Sequence, residues 1–98
     1  MTNNDLEMEI TRKLVRKILA HEPKLMITVG DEEDYLIKRS RDFDKIIAEL
    51  GHSDENDLII RSLDNSERLG AISLIWGNGE DVISDHTDNK IINQLVGV

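Results

Sequence analysis

The spacing of apolar residues near the start of the chain predicts an amphipathic helix over residues 5–20. The stripe consists of Leu6, Ile10, Leu14 and Ile18, widened by Val15 and Leu19. Asn4 is the predicted N-cap, and Glu7 follows three positions later, as in a capping box. Pro23 should end the helical region, because the residue before a proline is pushed out of helical geometry.

Two short apolar runs follow, and both have the branched character of β-strands. They are KLMITVG at residues 24–30 and YLIKR at residues 35–39, separated by the polar hairpin loop GDEED. Ser40 is then the predicted cap of a second helix. The buried face of that helix comprises Phe43, Ile46, Ile47 and Leu50. Gly51 is expected to end it in the left-handed conformation.

The second half of the chain predicts three strands in hairpin order and a closing helix. The strands lie at residues 57–63, 68–76 and 81–85, and the helix at residues 88–96. Thr87 is the predicted cap of this last helix. Its buried edge comprises Ile91, Ile92, Leu95 and Val96.

Asn78-Gly79 separates the last two predicted strands, and this dipeptide is typical of a two-residue type I′ turn. The resulting register pairs Trp76 with Asp81, Leu74 with Ile83, and Ile72 with Asp85. These residues would share the larger apolar face, with the two aspartates at its ends. Residues on the other face would be Ala71, Ser73, Ile75, Val82, Ser84 and His86. We expect Trp76 to be at least half buried.

The predicted element order, α-β-β-α-β-β-β-α, indicates a single α+β domain over residues 1–98. Five short strands in hairpin order make an antiparallel sheet, with the helices packed on it. The order is similar to that of profilin-like and roadblock-type small domains. This resemblance covers the element order of the whole chain and is carried by no sequence motif. Element order alone does not determine function.

Composition narrows the class of protein. Hydrophobic residues make up 39% of the 98 residues and charged residues 33%, so the chain is too apolar to be disordered. No apolar run approaches the roughly 18 residues of a membrane-spanning helix. Cysteine is absent, which excludes disulfides, thiolate catalysis and cysteine-based metal sites. We therefore expect a cytoplasmic protein that does not bind a membrane.

The net charge of −8 is unevenly distributed. Residues 1–30 hold four acidic and five basic side chains, for a charge of +1. Residues 31–98 hold sixteen acidic and seven basic ones, for −9. Direct nucleic-acid binding is not expected, because affinity for phosphates comes from lysine and arginine. The acidic surface serves solubility. Alternatively, it lets the chain act as an acidic inhibitor or mimic that occupies a nucleic-acid-binding protein.

The residues around the last predicted hairpin are the candidate functional surface. They are Trp76, Asp81, Asp85, His86 and Asp88. Asp85 and His86 are chain neighbours and point to opposite faces of a strand, so they cannot form a relay within it. An EF-hand loop starting at Asp85 would lack the glycine at its sixth position. No catalytic, metal-binding or cofactor-binding residue is predicted, and no cofactor. A small metal-dependent enzyme subunit using Asp81, Asp85 and His86 stays the alternative from another class.

The leading hypothesis is a non-catalytic protein-interaction module, with a protein partner or itself as a homodimer. The strands at residues 24–30 and 57–63 carry apolar side chains on both faces. Such a strand is either central in its sheet or covered by a second chain. The pattern therefore favours a homodimer with a mainly apolar interface, whose affinity changes little with salt.

Overall fold

The chain folds in the order α-β-β-α-β-β-β-α, which confirms the predicted α+β class. A computed structural model describes residues 3–31 and 34–97. The helices are α1 (Asn3–Ala20), α2 (Phe43–Ala48) and α3 (Lys90–Val96). The strands are β1 (Leu25–Gly30), β2 (Tyr35–Ser40), β3 (Glu55–Ser62), β4 (Arg68–Ile75) and β5 (Ile83–His86), with a 3₁₀ turn at Gly79–Asp81 before β5. No helix in the described ranges is long and apolar enough to cross a membrane.

The five strands form one antiparallel sheet in the order β2-β1-β3-β4-β5. The β1–β3 pairing is unbroken over six residue pairs, from Leu25–Ser62 to Gly30–Asp57. β3 is therefore central, and β1 is internal beside it. An internal strand pairs with neighbours along both edges, so on each face its side chains are flanked by those of the adjacent strands. The two-sided apolar pattern follows from this position and does not by itself require a second chain.

All three helices pack on one face of the sheet. The core is formed by alternate residues of β1, β3 and β4 together with the inner faces of the helices. Its fully buried members include Val15, Ile18, Leu25, Ile27, Val29, Ile46, Leu58, Ile60, Ile72, Leu74 and Ile92. This placement follows from strand periodicity, since every second side chain points to the same face.

The opposite face carries no helix within the described chain. We call it the helix-free face, and its central residues are Met26, Thr28, Ile59, Arg61, Ala71 and Ser73. Met26, Thr28 and Ile59 are nevertheless buried, with exposed fractions of 6%, 6% and 8%. Thr28 and Ile59 line a hollow of this face together with long basic side chains, among them Lys38 and Arg61.

The N-cap of the second helix lies two residues after the predicted one. Asp42 is the N-cap, and its carboxylate accepts a hydrogen bond from the backbone N–H of Lys45 at 3.1 Å. Ser40 was the predicted cap, and this prediction is wrong. Ser40 is still the last residue of β2, and its hydroxyl accepts from the N–H of Asp42 at 3.0 Å. Gly51 has the predicted left-handed φ, of +85°, but it does not end the helix, because α2 ends at Ala48 with Glu49 as its C-cap.

The predicted cap of the last helix, Thr87, is also wrong, and the observed cap again lies two residues later. Asn89 is the N-cap of α3, and its side chain accepts from the N–H of Ile92 at 2.9 Å. Thr87 instead extends the pairing of β4 with β5. Its N–H donates to the carbonyl of Ala71 at 2.9 Å, and its hydroxyl accepts from the N–H of Ala71 at 3.0 Å. A hydroxyl engaged with the sheet is not available to cap a helix.

Candidate functional site

The turn between β4 and β5 is not the predicted type I′ hairpin. Asn78 has φ −89° and ψ 2°, whereas a type I′ turn needs positive φ at both central residues. Only Gly79 of the pair has a positive φ, of +62°. The chain forms the 3₁₀ turn at Gly79–Asp81, and Val82 follows it fully buried in the core. The prediction that Val82 points away from the core is therefore wrong.

A carboxylate from the first helix holds this turn. Glu7 is 2% exposed, and its Oε2 accepts hydrogen bonds from the backbone N–H groups of Gly77 at 2.6 Å and Gly79 at 2.9 Å. The predicted capping-box role of Glu7 is wrong, and the side chain of Asn4 lies outside the described residues. Thr11, one helical turn on, is fully buried and donates its hydroxyl to the carbonyl of Glu7 at 2.8 Å. The buried stripe of α1 thus begins with two polar residues.

The register of β5 matches the prediction at one pair and then shifts. Leu74 pairs with Ile83, as predicted, but the next pair is Ser73 with Asp85. Asp85 therefore lies on the helix-free side of the sheet, not at the margin of the face that contains Trp76. Asp81 lies in the 3₁₀ turn, and both aspartates are exposed. The structure does not bring them together at an apolar edge.

The remaining predicted site residues make local hydrogen bonds. The carboxylate of Asp85 accepts from the backbone N–H of His86 at 2.8 Å. The imidazole Nδ1 of His86 lies 3.1 Å from the carbonyl oxygen of Thr87. Asp88 accepts from the side-chain amide of Asn93 at 2.9 Å. Within residues 3–31 and 34–97, no three histidine or acidic side chains are grouped so as to hold a metal ion.

Trp76 is partly buried against the core, as predicted, and it belongs to a buried hydrogen-bond network. Its indole N–H donates to the side-chain oxygen of Asn56 at 2.7 Å. Asn56 is 1% exposed, and the same oxygen accepts from the N–H of Gly51 at 3.1 Å. The amide nitrogen of Asn56 donates to the carbonyl of Gly30 at 3.1 Å. Trp76 is thus a structural residue, and sequence reasoning missed Asn56.

Replacing Trp76 by phenylalanine should lower the free energy of unfolding by about 1.5 kcal/mol, because one buried hydrogen bond and part of the buried ring are lost. The acceptor oxygen of Asn56 keeps its bond from Gly51, so the loss stays moderate. Urea denaturation followed by far-UV circular dichroism measures it. An unchanged midpoint would show that the indole N–H contributes nothing to stability.

Two adjacent hollows on the helix-free face form the candidate site. Tyr35 and Ile59 line both of them and separate them. The first, the basic hollow, has a volume of about 190 Å³ and is lined in addition by Thr28, Lys38, Arg39 and Arg61. The second, the acidic hollow, has a volume of about 420 Å³ and is lined in addition by Gly30, Asp31, Asp34, Asp57 and Arg68. Charge of opposite sign therefore lies on either side of Tyr35.

The backbone at Arg39 is held in an unusual conformation. Arg39 has a φ of +50°, which side chains other than glycine, asparagine and aspartate rarely adopt. The β1–β2 pairing is irregular here, and the N–H of Arg39 donates to the hydroxyl of Thr28 at 3.0 Å. A strained residue persists only where its surroundings over-determine it, and such residues cluster at binding sites. The strand irregularity places Arg39 at the basic hollow.

Within residues 3–31 and 34–97, no acidic side chain forms an ion pair with a cation of the basic hollow. Arg61 donates to the carbonyl of Ser66 at 3.1 Å, and the Lys38 ammonium lies 5.6 Å from the centroid of the Tyr35 ring. Among the residues that the structure describes, the ion pair is between Lys13 and Glu9 on α1, at 3.5 Å. The hollow thus gathers three basic side chains in a chain of net charge −8. Sequence reasoning missed these residues, because only the strand alternation hinted that Ile59 and Arg61 share a face.

Comparison with protein-family models, with curated proteins and with solved structures found no match for this chain.

Proposed function

We propose that the chain is a non-catalytic protein-interaction module that forms a homodimer through its helix-free face. The observation that carries this proposal is the opposite charge of the two hollows on either side of Tyr35 and Ile59. The absence of cysteine further supports a cytoplasmic location, because proteins of that compartment are rarely stabilised by disulfides. No observation favours the enzyme alternative built on Asp81, Asp85 and His86.

The charge pattern is complementary to itself. In a two-fold dimer, the same patch is used by both copies, and residue i of one contacts residue j of the other in both directions. A two-fold axis near Tyr35 would place the basic hollow of one copy over the acidic hollow of the other. Arg39 and Arg61 would then face Asp34 and Asp57 twice in one interface. Such pairing would give acidic partners to cations that form no ion pair with the described part of their own chain.

The size of the face sets the expected affinity. Five strands about 4.8 Å apart, of about seven residues each, give a flat area of roughly 550 Å² per copy. Stable interfaces bury about 800 Å² per partner, so this face lies toward the weak end of the range. The exposed large hydrophobic residues of the described chain are Tyr35 and Leu63. The proposed interface is therefore charged, not mainly apolar, and its affinity should fall as salt screens the charges.

A charge exchange tests this pairing. The variant Arg39→Glu/Arg61→Glu makes the basic hollow net acidic, and Asp34→Arg/Asp57→Arg makes the acidic hollow net basic. Each variant alone should be monomeric, with a mass of 11.2 kDa by light scattering. An equimolar mixture should give a complex of twice that mass, because each basic half then meets an acidic half. High salt should dissociate the complex.

Arg12→Glu/Lys17→Glu is the matched control, since both side chains are exposed on α1, away from the sheet face, and the charge change is the same. This control should associate like the unmodified chain. Circular dichroism checks that each variant is folded. If the unmodified chain keeps a mass of 11.2 kDa at every concentration, or the mixture stays monomeric, the homodimer proposal fails.

A further inference from the structure

The basic hollow also has the features of a site for a small anion. We propose that it binds the phosphate group of a small organic phosphate monoester. The proposal concerns the hollow of a single copy, and its binding step does not depend on the proposed homodimer. The juxtaposition that carries it is the convergence of Lys38, Arg39 and Arg61 beside the aromatic ring of Tyr35.

The charge of the hollow suits a phosphate better than a simple halide. A phosphate monoester carries close to two negative charges at neutral pH and offers three acceptor oxygens. Two guanidinium groups can each donate two parallel N–H groups to such oxygens, and Lys38 adds a point charge. Arg61 uses one Nη1 contact on the carbonyl of Ser66, which leaves its other N–H groups free to donate. Among the described residues that line this hollow, none is acidic and would oppose the anion.

The apolar wall leaves room for an organic group. Tyr35 is 53% exposed, and Ile59 forms a buried floor next to it. The volume of about 190 Å³ is below the range of roughly 300–1,000 Å³ that is typical for drug-sized ligands. The hollow therefore suits a small ester whose flat or aliphatic group lies against Tyr35. A planar group would gain the stacking contact that a bare phosphate lacks.

The strained backbone at Arg39 orders the site in the absence of ligand. The N–H of Arg39 is held by the hydroxyl of Thr28, a residue that is 6% exposed. This bond and the positive φ of Arg39 fix the direction in which its side chain leaves strand β2. Binding to a site that is already ordered costs less conformational entropy than binding to mobile loops. The strain would thus serve recognition of the anion.

The ligand and the proposed homodimer use the same cations. In the dimer, Asp34 and Asp57 of the second copy would occupy the place of the phosphate at Arg39 and Arg61. A phosphate monoester should therefore dissociate the dimer by mass action. This consequence alone rests on the proposed function, whereas binding to the single copy does not.

The test is a titration of the ¹⁵N-labelled chain with inorganic phosphate, phenyl phosphate and phenol at constant ionic strength. We use both the unmodified chain and Asp34→Arg/Asp57→Arg, which cannot pair with itself. Both phosphates should shift the amide signals of Thr28, Arg39 and Arg61 in a saturable way. Phenyl phosphate should bind about threefold to tenfold more tightly than inorganic phosphate, and phenol should not bind.

Arg39→Gln/Arg61→Gln should weaken phenyl phosphate binding at least about tenfold, since it removes two charge-assisted contacts. Arg12→Gln/Lys17→Gln changes the net charge equally and should leave the affinity unchanged. An absence of saturable shifts, or an equal loss in both double variants, overturns the site. If phosphate binds while light scattering finds only monomers, the homodimer fails and the anion site stands. If phosphate binds and the dimer persists, the competition between them is refuted.

Discussion

Replacing Glu7 by alanine should lower the free energy of unfolding by about 3 kcal/mol, because a hydrogen bond to a charged group contributes roughly 1.5–3 kcal/mol and Glu7 accepts two. Gly79 is buried, so its N–H would be left without an acceptor, whereas exposed Gly77 can turn to water. Urea denaturation followed by Trp76 fluorescence gives the change. The amide of Gly79 should also exchange its proton faster in the variant.

Two variants calibrate this result. Glu7→Gln keeps an acceptor oxygen but loses its charge, so we expect about half of the alanine effect. Glu9→Ala, one position from the buried stripe of the same helix, removes an exposed pair with Lys13 and should cost less than about 0.5 kcal/mol. Equal losses in Glu7→Ala and Glu9→Ala would mean that the buried carboxylate does not hold the turn.

Replacing Asn56 by alanine should have a comparable or larger effect, about 4 kcal/mol. The substitution leaves three groups without their partner, namely the N–H of Gly51, the indole N–H of Trp76 and the carbonyl of Gly30. An unsatisfied buried polar group costs roughly 1–3 kcal/mol, and water can reach the more exposed of these three. A thermal melt followed by circular dichroism measures the loss.

Asn56→Asp tests whether the side-chain nitrogen of Asn56 is needed as a donor to Gly30. It retains an acceptor for Gly51 and Trp76 but places a carboxylate oxygen against the carbonyl of Gly30, so it should destabilise nearly as much as alanine. Asn65→Ala is the exposed control, because that side chain only accepts from the N–H of Glu67 at 2.9 Å. A neutral effect of Asn56→Ala would refute the proposed role of this network.

These two polar anchors hold the same end of the sheet, and the acidic hollow lies there. Gly30 accepts from Asn56 and also lines the acidic hollow. Gly77, which donates to Glu7, directly follows Trp76. Loss of either anchor should therefore disturb the acidic hollow before it disturbs the basic one. Self-association should be more sensitive to these substitutions than phosphate binding is.

The elements that depend on local periodicity could be predicted from the sequence. The apolar spacing of residues 5–20 and the branched runs at 24–30 and 57–63 are local patterns, and each one forms the predicted element. Gly51 adopts the left-handed conformation because only glycine enters it without strain. The Leu74–Ile83 pair also matches the prediction, although the type I′ turn from which that register was inferred is absent.

Contacts between residues distant in the sequence determine the β4–β5 turn and the caps of α2 and α3. The turn after Trp76 departs from the type I′ geometry that Asn78-Gly79 favours, because a carboxylate 70 positions away accepts its N–H groups. Ser40 and Thr87 have good capping side chains, but Ser40 is the last residue of β2 and Thr87 is hydrogen-bonded to Ala71 of β4. Asp42 and Asn89 therefore cap the helices instead.

The candidate site depends on which face of the sheet the helices cover, and no local pattern determines that. Residues 43–50 and 90–96 show that each helix has an apolar side, but not on which side of the strands it packs. Burying Leu58 and Ile60 under helices left Ile59 and Arg61 on the other face. Alternate side chains of each strand thus lie on opposite faces of the sheet. Because the three helices pack on one face, the residues of the other face form the two charged hollows.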